Sequence, residues 1–285
     1  MASIKAFVKL SRLEHGLMVA LAIFTGAFVS ENSAILQDKF INIALGMLSG
    51  ILVEMGTFVF NDYFNIEEDR INAPHRPLVT GEIGLGEAFY FGSFTLFIGV
   101  LLNIFINFFV FALIAFTAFI GMLYNVYFKK SGILGNFLVA YSTALPFIYG
   151  ALILDPHPYV PMSVILFSAI AFFAALGREI VKGIVDIKGD RKAGVRTLAI
   201  IFGLSKAALM TAVLFFIAVL LSFLLLFLVR NLWLFTAFIV PTDLIFLYSA
   251  YSIVKKPSIE NAESVRRKTL VGMSLGIIGF LLGFL

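Results

Sequence analysis

Residues 40–61 read FINIALGMLSGILVEMGTFVFN, and the nine that follow, 62–70, read DYFNIEEDR. The first stretch holds a single ionisable side chain, Glu54. A helix needs about 20 apolar residues to cross the hydrocarbon core, and this run meets that length. An unbroken apolar run, rather than alternation, selects helix over strand, and only helices or closed barrels satisfy their backbone in lipid. The second stretch packs Asp62, Glu67, Glu68 and Asp69 into one short segment. The junction therefore predicts a membrane helix that ends in a wet, acidic turn.

The pattern repeats along the chain. Apolar runs near 10–30, 40–61, 87–106, 108–127, 133–154, 160–181, 205–229, 232–254 and 268–285 predict nine transmembrane helices. The expected fold is all-α, a multi-pass bundle forming a single domain over 1–285. Its narrowest division falls at Asn103–Asn107, where two spans nearly touch. Composition agrees: 61% of residues are hydrophobic and 13% charged, against about half and a quarter in soluble domains. The chain has no cysteine, which excludes disulfides, a thiolate nucleophile and Cys-ligated zinc or iron–sulfur sites. The first apolar run continues too far for a cleavable signal peptide and lacks a small-residue cleavage site.

Basic residues orient the bundle. If the nine spans hold, only Lys39 and Arg230 of the 21 Lys and Arg fall on one side. The positive-inside rule then places the N-terminus in the cytosol and the C-terminus outside. The two long polar loops, 62–86 and 182–204, both face the cytosol, and the chemistry is expected where they converge.

Those loops carry the acids. If the second helix continues through its turn, Asp62, Asn65 and Asp69 fall at i, i+3 and i+7, on one face. In the other loop Asp186 and Asp190 stand at i and i+4, and Glu179 and Lys182 extend that stripe backward. Cytosolic loops are often simply acidic and wet. Two features argue against that here. Lys182, Lys188, Arg191, Lys192 and Arg196 crowd the second cluster, as around a polyanion. Both clusters also begin at a membrane-facing helix end, where charge is costly unless used or hydrated. Magnesium usually takes one or two carboxylates plus substrate phosphates, so two facing acidic ends predict a magnesium-bridged diphosphate.

Asn61-Asp62-x-x-Asn65-x-x-x-Asp69 resembles the Asn-Asp-x-x-Asp-x-x-x-Asp motif of UbiA-type intramembrane prenyltransferases. Asp186-x-x-x-Asp190 looks like their second motif, and Tyr124-x-x-x-x-Lys129 like their Tyr/Lys pair at the end of the fourth span. The resemblance covers essentially the whole chain. It implies Mg2+-dependent transfer of a prenyl group, with Asp62, Asp69, Asp186 and Asp190 holding the metals and Asn61 and Asn65 assisting. It also implies that Lys129, and a basic residue at the start of the first span such as Arg12, lie beside the donor diphosphate. Two positions depart from the pattern: Asn65 stands where an Asp is usual, and Gly183 where many members carry another Asp.

Other candidates follow from position. Arg70, Lys182 and Arg191 are the further cations expected to contact diphosphate. Glu54, two helical turns deeper than Asn61, is either an acceptor-binding group or proton acceptor, or a neutral pocket acid. Asn125 and Asn136 are candidates for satisfying each other or a polar pocket. His157 is assigned no chemistry. The strings Asp69-Arg70-Ile71-Asn72-x-Pro74-x-Arg76-Pro77-Leu78 and Arg178-Glu179-Ile180-Val181-Lys182 are most similar to the archaeal ether-lipid branch of the family. That branch implies geranylgeranyl diphosphate as donor and geranylgeranylglyceryl phosphate as acceptor, whose anionic group would engage Lys188, Lys192 and Arg196. The runner-up acceptor is 4-hydroxybenzoate or a naphthoate. A secondary transporter, the rival from another class, would place its ionisable groups near the bilayer midplane, whereas these cluster at helix ends. The CDP-alcohol phosphotransferase signature is missing.

Overall fold

The computed structural model describes residues 3–30, 38–128, 131–155, 159–192 and 194–285. Its helices are α1 (Ile4–Ser11), α2 (Leu13–Ser30), α3 (Phe40–Phe64), α4 (Ile66–Asn72), α5 (Pro77–Thr80), α6 (Leu85–Leu101) and α7 (Phe108–Leu123). They continue with α8 (Ile133–Leu152), α9 (Met162–Val185), α10 (Ile187–Lys192), α11 (Leu198–Phe202), α12 (Leu204–Leu225), α13 (Leu232–Lys255) and α14 (Ile259–Leu282).

Among the described residues, eight helices are long and apolar enough to cross a membrane: α2, α3, α6 with its extension to Phe105, α7 with its extension to Phe128, α8, α9, α12 and α13. The protein is thus a multi-pass membrane bundle. The ninth expected span, 268–285, belongs to α14, which starts at Ile259 and opens with Glu260, Glu263, Arg266, Arg267 and Lys268. Its apolar remainder, 269–282, is shorter than a full crossing needs. The expected count of nine is reached only by including it.

The division at Asn103–Asn107 has a physical cause. Asn103 is fully buried; its amide donates to Ser49 Oγ at 2.8 Å, and Tyr149 Oη donates to its carbonyl at 2.6 Å. These bonds tie the end of α6 to α3 and α8. The Asn107 side chain then accepts from Val110 N–H at 2.8 Å, capping α7.

The long helices form a ring in which α2 touches α3, α8 and α14. Lipid removes the hydrophobic drive between helices, so close backbone approach matters more. Gly26 and Gly150 permit it where α2 crosses α8: a Cβ on either would sit 2.0 Å from a carbonyl oxygen of the other helix. The phenylalanines divide accordingly. Phe108 and Phe227 stand outward, while Phe167 and Phe280 stack inside at 3.9 Å between ring centres.

Candidate active site

The first acidic cluster sits where α3 gives way to α4. One residue, Asn65, leaves helical geometry (φ −115°, ψ 22°). The phase survives because Asp69 N–H still donates to the Asn65 carbonyl at 2.9 Å. Asp62, Asn65 and Asp69 therefore share one face, and all three are buried. Two cations from outside the helix neutralise them. Arg12 donates to Asp62 Oδ1 at 2.8 Å, and Arg76 donates to the same oxygen at 2.9 Å and also to Asp69 Oδ2.

Arg12 reaches this position by an uncommon backbone route. It ends α1 in the left-handed region, with φ 48° and ψ 56°, at a cost of roughly 1–2 kcal/mol for a side chain with a Cβ. Strain of this kind persists where surrounding contacts fix it, and it gathers at functional sites. Here the guanidinium lies 4.4 Å above the Phe58 ring and in the ion pair with Asp62. Burial lowers the Arg12 pKa from its ordinary value, and the charge of Asp62 opposes that shift. Helix α1 covers the turn, held by Lys9 Nζ donating to the His75 carbonyl at 2.8 Å.

The second cluster is built differently. Asp186 ends α9, and Asp190 N–H donates to its carbonyl at 2.9 Å, carrying the turn into α10. Asp186 is exposed and Asp190 half-buried. Lys182 pairs with Glu179 at 3.6 Å. Gly132, at φ +64°, brings the turn before α8 onto this loop; a Cβ there would lie 1.8 Å from the Arg196 carbonyl oxygen.

Both clusters open on one cavity of about 1090 Å³ that runs down between the helices. Asp69, Asp186 and Asp190 line its acidic end with Arg12, Arg76 and Lys182. Glu54, Asn61 and Tyr124 line it further along, Tyr124 opening a π-turn (Tyr124–Phe128), a distortion frequent at functional sites. Asp62 and Asn65 stand behind the wall rather than on it. Lys129 lies outside the described residues.

Other expectations meet different placements. Arg70 turns outward and pairs with Glu67 at 3.1 Å, because a residue one step from Asp69 on a helix points about 100° away from it. Arg76, which follows the turn, instead pairs with Asp62 and Asp69 and lines the cavity. Arg191, Lys188, Lys192 and Arg196 are exposed and do not line the cavity. Asn125 does not pair with Asn136. It accepts from Asn61 Nδ2 at 2.9 Å and donates to the Thr57 carbonyl, so it fixes the first residue of the motif. Two cavity residues escaped the sequence reading. Arg178 lines the cavity from α9, and Asp243, on α13, lines it while accepting from Ser222 Oγ at 2.7 Å. A carboxylate inside an apolar run was the available signal for Asp243.

Residues 19–284 match the UbiA prenyltransferase family. The chain belongs to that family. It is 33% identical over 284 residues to the digeranylgeranylglyceryl phosphate synthase of Saccharolobus solfataricus, covering 99% of this chain and 98% of that protein. It is 34% identical over 291 residues to the synthase of the same name from Archaeoglobus fulgidus, again covering 99% and 98%. A solved structure described as digeranylgeranylglyceryl phosphate synthase in membranes superposes with a TM-score of 0.82 at 29% identity, over 99% of each chain. A UbiA homolog from Archaeoglobus fulgidus bound to GPP and Mg2+ shares the fold, with a TM-score of 0.69 at 20% identity over 96% of this chain and 99% of that one.

Proposed function

We propose that this prenyltransferase moves a geranylgeranyl group from its diphosphate to the free hydroxyl of geranylgeranylglyceryl phosphate. The observation that carries the reading is full-length similarity, at 33% and 34% identity, to two synthases of that name, joined to two acidic turns facing one membrane cavity.

The donor set suits magnesium. All four aspartates offer hard oxygens, and among the described residues no three acids gather to hold a metal by themselves. That split suits an ion which uses one or two carboxylates and takes the rest of its shell from phosphates. Asp69, with Asp62 behind it, would hold metal on one side and Asp186 and Asp190 on the other, with Asn61 and Asn65 orienting the first turn. When bound, magnesium stabilises charge on the departing diphosphate. Arg12, Arg76 and Lys182 supply fixed cations to the same leaving group, most effectively where water is excluded, and the family pattern assigns Lys129 to it as well. Glu54 accepts the hydroxyl proton, Tyr124 borders the reacting end, and the apolar walls keep water from the allylic cation.

Purified protein with magnesium and labelled geranylgeranyl diphosphate should form product with geranylgeranylglyceryl phosphate. Product from 4-hydroxybenzoate or a naphthoate, with none from the glyceryl phosphate, would sink the lipid assignment. The active site faces the cytosol, supported by the bias of basic residues toward that side. A cysteine at Ser258 should react with an impermeant reagent only from the cytosolic side and one at Pro156 only from outside; the reverse pattern would invert the orientation.

A further inference from the structure

A second, smaller cavity of about 370 Å³ lies between α9 and α14. Its walls carry four cations, Arg178, Lys182, Arg266 and Arg267, against two acids, Glu179 and Glu263. Each acid already has a partner. Glu263 accepts from Arg266 and Arg267 at 3.0 Å, and Glu179 pairs with Lys182. With all six ionised the lining carries two positive charges in excess.

Arg178 gives the pocket its direction. Its Nε is buried and, among the described residues, has no hydrogen-bond partner, while Nη2 reaches the Arg266 carbonyl at 3.5 Å. A guanidinium donor sealed from water without an acceptor is expensive. An ordinary topology-setting cation would instead run its stem along apolar surface and keep its head in water. Arg178 does the opposite: it turns inward from a membrane helix toward a space rimmed by other cations. The arrangement is short of an anionic acceptor.

The two cavities are joined. Arg178, Glu179, Lys182 and Leu270 line both this pocket and the large one that holds the acidic turns. A headgroup held here leaves the rest of its lipid free to enter the main cavity. We propose that this pocket binds the phosphate monoester of the glyceryl lipid acceptor, beside the acidic site that takes the donor diphosphate and sharing Lys182 with it. The proposal rests on the function argued above. A phosphate monoester carries close to two negative charges near neutral pH, which matches the excess on the walls. Guanidinium forks bind such oxygens in pairs, with geometric selectivity that a lone ammonium lacks. Lys188, Lys192 and Arg196, which the sequence offered for this task, line neither cavity.

Arg266 and Arg267 sit at the rim, so Arg266→Gln and Arg267→Gln should fold normally, whereas Arg178 is too buried for a clean test. In purified enzyme with magnesium and donor, Arg266→Gln should raise the KM for geranylgeranylglyceryl phosphate about tenfold or more, on the scale of one lost charged hydrogen bond. Arg267→Gln should do less and the double variant more. The donor KM should stay within about twofold. The preference for the phosphorylated acceptor over geranylgeranylglycerol should narrow by the same factor as the acceptor KM rises. A matching loss with both acceptors, or a raised donor KM, would overturn the proposal. Direct binding of geranylgeranylglyceryl phosphate, measured without donor or metal, judges the pocket independently of turnover. Wild type should bind more tightly than Arg266→Gln by a similar factor, and equal binding would overturn the pocket. Displacement by phosphatidylglycerol at the same mole fraction would reassign it to bulk lipid. Should wild type prenylate neither glyceryl acceptor, the functional reading fails and the binding arm alone decides the pocket.

Discussion

The turns at 62–69 and 183–190 share one spacing. In each, positions i, i+3 and i+7 align on a helix end, and in each one position lacks an acid: Asn65 in the middle of the first, Gly183 at the head of the second. Their surroundings differ sharply. In the first, Asp62, Asn65 and Asp69 are buried, covered by α1, and compensated by Arg12 and Arg76. In the second, Asp186 is exposed and Asp190 half-buried at the mouth of the cavity. The comparison teaches that spacing sets which acids share a face, while cations brought from elsewhere in the chain set whether that face is rigid. Arg12 comes from 50 residues before Asp62, and Arg76 from 14 after it. The first turn is thus both a site and a structural joint, whereas the second is chiefly a site.

The largest expected effect separates those roles. Asp62→Asn leaves two guanidinium groups facing a neutral amide in a buried place. Removing one partner of a buried ion pair typically costs about 3–5 kcal/mol. Asp186→Asn removes an exposed charge, and surface substitutions usually stay within about 0.5 kcal/mol. Both should lower turnover by roughly 10²-fold or more, the scale for deleting one electrostatic contact to a reacting group. Thermal unfolding in detergent beside initial rates would reveal the split: activity lost in both variants, a clear fall in Tm only in Asp62→Asn. Equal falls in Tm would break the comparison.

Much of this was legible in the chain. Lipid as solvent leaves few choices, so the apolar runs placed most helix starts to within about three residues, as at Phe40 and Leu232, with α14 the exception. The helical phase from Asp62 to Asp69 followed from spacing alone. What stayed hidden depends on contacts between distant segments. Arg70 was expected beside the diphosphate, but helical geometry turns it outward to Glu67, and the cation beside Asp69 is Arg76, returned by the loop. Asn103 marked a break, yet its cause lies in Ser49 and Tyr149 on two other helices. Arg266 and Arg267, legible in the sequence only as basic residues of the cytosolic side, stand beside Arg178 because α14 begins well before its apolar part. Hydropathy could not register this, since those residues are too polar to count as span.

The smallest effects come from the positions where each turn lacks an acid. Asn65→Asp would give the first turn a third acid, but Asn65 Nδ2 donates to the Asn61 carbonyl. A carboxylate there sets oxygen against oxygen among buried acids, and an unmet buried acceptor costs about 1–3 kcal/mol. Gly183→Ala should be milder. The new Cβ would lie 3.3 Å from Thr197 Cβ and 3.5 Å from its Cγ2, tight but against a side chain rather than backbone. Alanine also gains up to about 1 kcal/mol over glycine inside a helix. The two terms nearly cancel, so stability should stay within about 1 kcal/mol, and turnover within about fivefold on the same energy scale. Thr197 caps α11 by accepting from Ile200 N–H, so any larger push would be transmitted into the second loop. A fall in Tm for Gly183→Ala as large as that for Asp62→Asn would mean the glycine is required for the close approach of α9 to Thr197. The second turn would then be as rigid as the first, and the open character assigned to it would have to be abandoned.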